Sequence, residues 1–271
     1  ISSAGFWQVF RDRVKAINPE AYIVGEVWRD ARQWLDGTQF DGVMNYLFTA
    51  PTIAFTAGDR VVLDYVRSRS YEPYPALSAP DYAAKIQQLL DLYPWEIQLT
   101  QLNLLASHDT ARLLSIAQHD RASVELATLL LFTFPGAVSI YYGDEVGLAG
   151  ALDPDSRRGF PIESDWDREL LDYHRQLIAL RHQYPALRIG TYRVLAAEGN
   201  AYVFVRTLAD VELIVAVNVG MESATVSLDV TALGVNTRSS RLLFGTAELE
   251  WPQIDQVLSI DLNARSGCIL I

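Results

Sequence analysis

Four short, largely apolar runs constrain this chain more than any other feature of its sequence. They are Tyr22-Ile23-Val24-Gly25, Phe40-Asp41-Gly42-Val43-Met44-Asn45-Tyr46, Leu102-Asn103-Leu104-Leu105-Ala106 and Ala137-Val138-Ser139-Ile140-Tyr141-Tyr142. None shows the strict polar–apolar alternation of a half-exposed strand, so each reads as a strand buried on both faces, as in parallel sheets. Helical segments separate them. Phe6, Val9, Phe10, Val14 and Ile17 repeat at helical spacing until Asn18-Pro19. Val61 to Val66 reads as helical, Asp81 as the N-cap of a helix through Leu92, and residues 121–134 and 168–183 as further helices. The stretch from about 50 to 80 is otherwise less regular, with Tyr71 to Pro75 a loop.

Strands alternating with helices predict parallel βαβ units, about four of them over residues 1–188. A closed eight-stranded barrel needs twice as many and typically ~250 residues. Half a barrel or an open α/β sheet remains. After Tyr184-Pro185 the pattern changes to short runs punctuated by Gly and Asn: Val194-Leu195, Tyr202 to Arg206, Leu213 to Val217, Ala224 to Leu228, Leu242-Leu243, Val257 to Leu262 and Cys268 to Ile271. Residues 189–271 are therefore expected to form a separate all-β module, sandwich or barrel.

The charge balance narrows the partners. With 22 basic and 33 acidic residues the net charge is −11, which argues against a nucleic-acid surface. The uncharged run from Leu126 to Gly143 is about as long as the shortest membrane span, but Pro135-Gly136 divides it. A helix, a turn and a buried strand account for it, so no membrane partner is expected. The single cysteine, Cys268, permits no intrachain disulfide and reads as a small buried apolar residue. His119, His174 and His182 read as surface or helix-packing residues, and no Cys/His spacing suggests zinc. The sequence starts Ile1-Ser2-Ser3 without an initiator Met or a signal-peptide pattern, and so reads as a piece of a longer chain. The compartment stays open, with the cytoplasm the favoured expectation.

Acids sit at the ends of three of the four runs: Glu26, Asp109, and the Asp144-Glu145 pair. In parallel α/β folds these ends converge on the active site. Glycoside cleavage needs such convergence, because one carboxyl must donate a proton while another meets an oxocarbenium-like centre. Crowding like charges raises one pKa and so supplies the acid. Trp28, Tyr46, Tyr141 and Tyr142 stand beside these acids, and aromatic faces pack on the C–H faces of sugar rings. Each signal has a plainer reading: acids at strand ends also cap helices, the aromatics serve equally as core, and Asp144-Glu145 reads as structural.

Several ordered strings resemble the α-amylase family of glycoside hydrolases. Ile23-Val24-Gly25-Glu26-Val27-Trp28, Leu105-Ala106-Ser107-His108-Asp109-Thr110 and Tyr141-Tyr142-Gly143-Asp144-Glu145-Val146-Gly147 resemble three of its barrel-strand segments. Gln39 to Tyr46 and Asp153-Pro154-Asp155-Ser156-Arg157-Arg158 resemble its neopullulanase, cyclomaltodextrinase and maltogenic amylase subgroup. The resemblance implies the C-terminal half of a (β/α)8 TIM barrel (residues 1–188) followed by an all-β sandwich (189–271). It implies Glu26 as general acid/base and Asp109 as a sugar-binding, ring-straining carboxylate with His108 beside it. The bare two-carboxylate rule would instead make Asp109 the nucleophile. The family assigns that role to an Asp on an earlier strand, which this sequence does not include. Trp28 and Asn45 are expected near the cleft. Asp153 and Arg157 are expected either to contact sugar or to pin a loop. Gly159-Phe160-Pro161-Ile162 departs from the subgroup, which often continues with an aromatic-ended stretch.

The implied substrate is an α-1,4-linked glucan, a cyclodextrin or pullulan, cleaved with retention. No cofactor is required; calcium stays open, although no local run specifies a calcium loop. A homodimer is the protein partner left open. Two other readings stand beside this one. The chain by itself is a non-catalytic fragment, a folding unit or glycan-binding piece, because half a barrel exposes sheet edges. A sugar-phosphate enzyme would want a Gly-rich phosphate loop, which is not found.

Overall fold

The computed structural model describes residues 4–67, 75–229, 231, 241–250 and 257–271. The Ile1-Ser2-Ser3 start and the expected loop at residues 71–74 lie outside that set. The first part of the chain runs α1 (Ala4–Ile17), β1 (Val24–Gly25), β2 (Gly42–Val43), α2 (Tyr46–Ala57), α3 (Leu63–Val66), α4 (Ala79–Leu90), α5 (Trp95–Gln98) and β3 (Leu102–Asn103). It continues through α6 (Leu113–Ile116), α7 (Arg121–Thr133), β4 (Ala137–Val138), α8 (Arg168–Gln183) and α9 (Ala186–Ile189).

β1 pairs with β2 and β3 with β4, all parallel, and a parallel bridge between Met44 and Leu102 joins the two pairs. The order β1-β2-β3-β4, all parallel, agrees with the half barrel that the family resemblance implies. The hydrogen-bonded ladders are shorter than the apolar runs. Leu104, Leu105 and Ala106 are buried but continue past β3 into the turn that carries the site. Apolarity reports burial, and burial persists where the ladder stops. Gly42 has a steric reason: a Cβ there would lie 2.1 Å from the Thr100 carbonyl oxygen.

Two expectations are corrected. Tyr46 does not end a strand; it starts α2, in which every residue from Phe48 to Ala57 is buried. A helix enclosed on all sides has no polar face, so it leaves no amphipathic period to read. Asp81 is not the N-cap of α4. Ser78 is, with its Oγ accepting from the Asp81 N–H at 3.3 Å and donating to the Asp81 carboxylate at 2.6 Å. The Asp81 carboxylate thus bonds the capping hydroxyl rather than the Ser78 N–H that a capping box would use. Asp120 and Asp167 cap α7 and α8 through the N–H groups of Ser123 and Leu170. No helix of the described residues is long and apolar enough to cross a membrane.

The C-terminal part is an all-β sandwich. Its strands are β5 (Thr191–Glu198), β6 (Ala201–Leu208), β7 (Val211–Asn218), β8 (Ala224–Asp229), β9 (Leu242–Gly245), β10 (Glu248–Glu250), β11 (Val257–Leu262) and β12 (Ser266–Leu270). One sheet has the order β5-β6-β7-β12-β9 and the other β10-β11-β8. The larger sheet is covered on both faces. Ala201, Val203, Val205, Ile214 and Ala216 meet Val226, Leu228, Leu258 and Ile260 of the smaller sheet. The alternate residues Tyr202, Phe204, Leu213, Val215 and Val217 join the core that contains α2, α4 and α7. Cys268 is fully buried between the sheets, and burial pushes its thiol up to about 12.

Two arginines, Arg206 and Arg265, fasten the sandwich to the barrel part, and a third, Arg181, ties α8 to the end of α7 beside them. Arg206, fully buried in β6, donates to the carbonyls of Thr133, Leu187, Gly190 and Thr191. Arg181 of α8 donates to the carbonyls of Phe132, Phe134, Gly136 and Leu187. Both cations thus sit on the carbonyl-rich C-terminal end of α7, where the helix dipole favours positive charge. Arg265, in the β11–β12 turn, donates to the Thr56 carbonyl and to the Asp120 carboxylate.

Candidate active site

Glu26 directly follows β1, and His108-Asp109 ends the apolar run that begins at β3. The topology brings these two strand ends to one rim. One ligand-type atom from each of Glu26, His108 and Asp109 lies within 4.8 Å of the other two. Glu26 and His108 are exposed and Asp109 is half-buried, so the cluster opens to solvent. Beside it, along α1 and β1, runs a cleft of about 1000 Å³ lined by Glu26, Trp28 and the aromatic residues Trp7, Phe10, Trp34 and Phe40.

Asp109 is held from three directions. Arg157 Nη2 stands 3.1 Å from Oδ1, and His108 Nε2 3.4 Å from Oδ2. The Asp109 N–H donates to Ser107 Oγ at 3.2 Å, and the Tyr46 hydroxyl donates to the same Oγ at 2.8 Å. Burial pushes the Tyr46 phenol well above its ordinary range, and the nearby Glu26 and Asp109 charges push the same way, so Tyr46 stays a donor.

The other expected site residues divide. Trp28 lies at the cleft, its ring stacked on Tyr46. Arg157 donates through Nε to the His108 carbonyl at 2.9 Å and forms an ion pair with Asp153, whose Oδ1 lies 2.9 Å from the same nitrogen. The Asp153–Arg157 pair therefore pins its loop against the Asp109 turn while both side chains stay partly exposed. Asn45 stands apart. It is only 2 % exposed and donates to Asn103 Oδ1 at 2.8 Å, while Asn103 donates to the Pro135 carbonyl. Asn45 thus ties β2, β3 and the turn before β4 together beneath the rim.

Sequence reasoning did not single out Arg112, which is fully buried. Its guanidinium lies 4.0 Å from the Tyr141 ring centre and 4.6 Å from that of Tyr142. It pairs with Asp144 at 3.0 Å. The two tyrosines and Asp144 surround that cation, and Tyr142 is itself exposed rather than part of the core. Burial pushes the Asp144 carboxyl up to about 7; the Arg112 charge opposes the shift and Glu145 adds to it. The available sequence signal was position: Arg112 lies three residues beyond Asp109, just past the end of that string. His174 is buried in α8, its Nδ1 2.9 Å from the Leu170 carbonyl oxygen.

Among the described residues, Glu26, His108 and Asp109 are the His, Cys, Asp and Glu side chains close enough to share a metal ion. Calcium takes six to eight oxygens. Two carboxylates and an imidazole do not fit it.

Parallel α/β architecture with a converging acid, second carboxylate and histidine defines a barrel-type protein whose polar site lies at the carboxyl ends of its strands. The chain belongs to the α-amylase family. The profile described as "Alpha amylase, catalytic domain" matches residues 2–176, and that described as "Alpha-amylase C-terminal domain" matches residues 190–270. Neopullulanase 2 of Thermoactinomyces vulgaris is 40 % identical over 237 residues, covering 86 % of this chain and 37 % of that protein. A cyclomaltodextrinase of Geobacillus thermopakistaniensis is 38 % identical over 232 residues, covering 84 % and 37 %. Among solved structures, a debranching enzyme from Nostoc punctiforme superposes with a TM-score of 0.94 at 66 % identity, covering all of this chain and 56 % of that one. The chain therefore spans little more than a third of the length of these two relatives.

Proposed function

We propose that this chain is part of a retaining glycosidase that cleaves α-1,4-glucosidic bonds in starch-like glucans, cyclodextrins or pullulan. The observation that carries the reading is the convergence of Glu26, His108 and Asp109 within 4.8 Å at the ends of parallel strands. Relatives named cyclomaltodextrinase and neopullulanase support the substrate class.

In this reading Glu26 protonates the glycosidic oxygen as the C1–O bond breaks. A carboxylate attacks C1 to give a glycosyl-enzyme. Water then attacks C1 and displaces that carboxylate, Glu26 takes the water's proton, and the anomeric configuration is retained. Asp109 and His108 hold ring hydroxyls. The family resemblance puts the attacking carboxylate on an upstream Asp. The closeness of Glu26 and Asp109 alone would also suit Asp109 as the nucleophile, since retaining pairs lie about 5 Å apart.

A second reading applies to the chain by itself: a folding unit or glycan-binding piece without turnover. It is favoured because β1 pairs with β2 alone and β4 with β3 alone among the described strands, so both sheet edges are open. Reducing-sugar release from β-cyclodextrin and pullulan, by this chain and by its Glu26→Gln variant, separates the two. Release abolished by the variant supports turnover within this chain. No release from either, together with measurable β-cyclodextrin binding, supports the fragment reading. Neither release nor binding counts against the glucan assignment.

A further inference from the structure

The segment carrying Arg157 is folded around a cation it does not own. Arg112 donates through Nε to the Ser156 carbonyl at 2.7 Å, and through Nη1 to the Tyr142 carbonyl. Its backbone N–H donates to the Gly150 carbonyl at 3.0 Å. Gly150 leaves room for the return of the chain: a Cβ there would lie 2.7 Å from the Asp155 carbonyl oxygen. The Tyr142 hydroxyl closes the far side by donating to the Arg158 carbonyl. Ser156, itself fully buried, immediately precedes Arg157, whose guanidinium reaches the Asp109 carboxylate and the His108 carbonyl.

Arg112 is an expensive way to fill this space. Its Nη2 has no hydrogen-bond partner among the described residues. A buried cation with an unmatched donor contributes less to stability than apolar packing of similar volume. Two chains of contacts nevertheless run from it to one carboxylate: along the backbone to Asp109, three residues earlier, and through Ser156 to Arg157.

We propose that Arg112 is a positioning residue for Asp109, fixing the segment from Gly150 to Arg158 from beneath so that Arg157 meets the Asp109 carboxylate. The consequence for sugar binding rests on the glucan reading above; the positioning itself does not.

The test uses the full chain with three variants, Arg112→Met, Arg112→Lys and Arg157→Met. The first readout is the Arg157 side-chain Nε–H signal in a ¹H–¹⁵N spectrum, assigned by its loss in Arg157→Met. The second is β-cyclodextrin affinity by calorimetry. In Arg112→Met the Arg157 signal is expected to move toward the free-arginine position while the folded amide spectrum persists. Arg112→Lys, which keeps the charge but cannot reach both carbonyls, is expected to move it the same way. The dissociation constant should rise about tenfold in Arg112→Met, and combining it with Arg157→Met should add little, because both act through one contact. An unmoved Arg157 signal in the folded Arg112 variants overturns the proposal. If Arg112→Met loses the folded spectrum, Arg112→Lys and Asp144→Asn decide by the same signal. A wild-type chain without affinity for β-cyclodextrin removes the glucan reading, and the spectrum alone then decides the role of Arg112.

Discussion

The rings of Trp28 and Tyr46 lie 3.4 Å apart and within 5° of parallel, so the start of α2 is clamped against the strand end that carries Glu26. The same tyrosine reaches Asp109 through Ser107, which makes it a junction between the two acids. Tyr46→Phe keeps the stack and removes the hydroxyl. Deleting one buried, neutral hydrogen bond is expected to cost about 1 kcal/mol, measurable as a lowered urea midpoint. Because Ser107 Oγ can still accept from the Asp109 N–H, β-cyclodextrin affinity should fall only a few-fold. A loss as large as that of Asp109→Ala would make Tyr46 a direct sugar contact instead.

Arg206 tests how far the sandwich depends on the barrel part. Burial lowers its pKa to about 9, so it stays charged at neutral pH. Its charge is met by carbonyl dipoles at the ends of α7 and α9 rather than by a carboxylate. Arg206→Met leaves those carbonyls short of donors in a closed seam. The expected loss is about 3 kcal/mol or more, seen as a lower chemical-unfolding midpoint. A midpoint unchanged within error would mean that water enters the seam and replaces the guanidinium.

How much of this was legible beforehand depends on what kind of signal each residue carries. Glu26, His108 and Asp109 stand in strings whose order fixes where strands end, so the sequence brought them to one rim before any coordinates. Helix α8 was equally plain, because it keeps a polar face along its length. Helix α2 was hidden for the opposite reason: its residues from Phe48 to Ala57 are all buried. Asn45 was expected at the cleft, but its amide is used inside, by Asn103. A polar side chain between a buried strand and a buried helix does not announce which way it points. Arg112 was missed because a buried arginine looks like a surface one in sequence; its partners lie about 30 to 44 residues away.

Asp144 gives the molecule a cost that grows with pH. Its folded pKa, raised to about 7 chiefly by burial, lies above the ordinary unfolded carboxylate value. The folded state therefore binds this proton more tightly than the unfolded state. Stability from this group is present at low pH and lost as pH rises from about 4 to about 7. Asp144→Asn removes the titration. Between pH 5 and 7 the wild-type unfolding free energy is expected to fall more steeply than that of the variant, by up to about 1.4 kcal/mol per pH unit. Equal slopes in paired urea titrations would show that Arg112 keeps Asp144 ionised throughout.

Asp41 carries the opposite sign. Burial alone would raise its pKa, but the Ile23 N–H donates to it at 2.7 Å, and Arg11 and Lys15 of α1 stand 2.8 and 3.0 Å away. The net shift is downward. Its stabilisation is therefore full above the unfolded carboxylate pKa and is lost as pH falls through the lower folded value. Both basic partners sit on α1, so protonating Asp41 loosens that helix from the strand leading to Glu26. Wild type should lose stability between pH 5 and 3 faster than Asp41→Asn, which has already lost the ionic contacts. The same variant should leave the sandwich intact, so protection of β6 and β7 amides from hydrogen exchange near neutral pH should match wild type while that of α1 falls. Parallel acid-unfolding curves for the two proteins would mean that Arg11 and Lys15 hold α1 no better in ionic form than through their bonds to the Gln39 and Ala21 carbonyls.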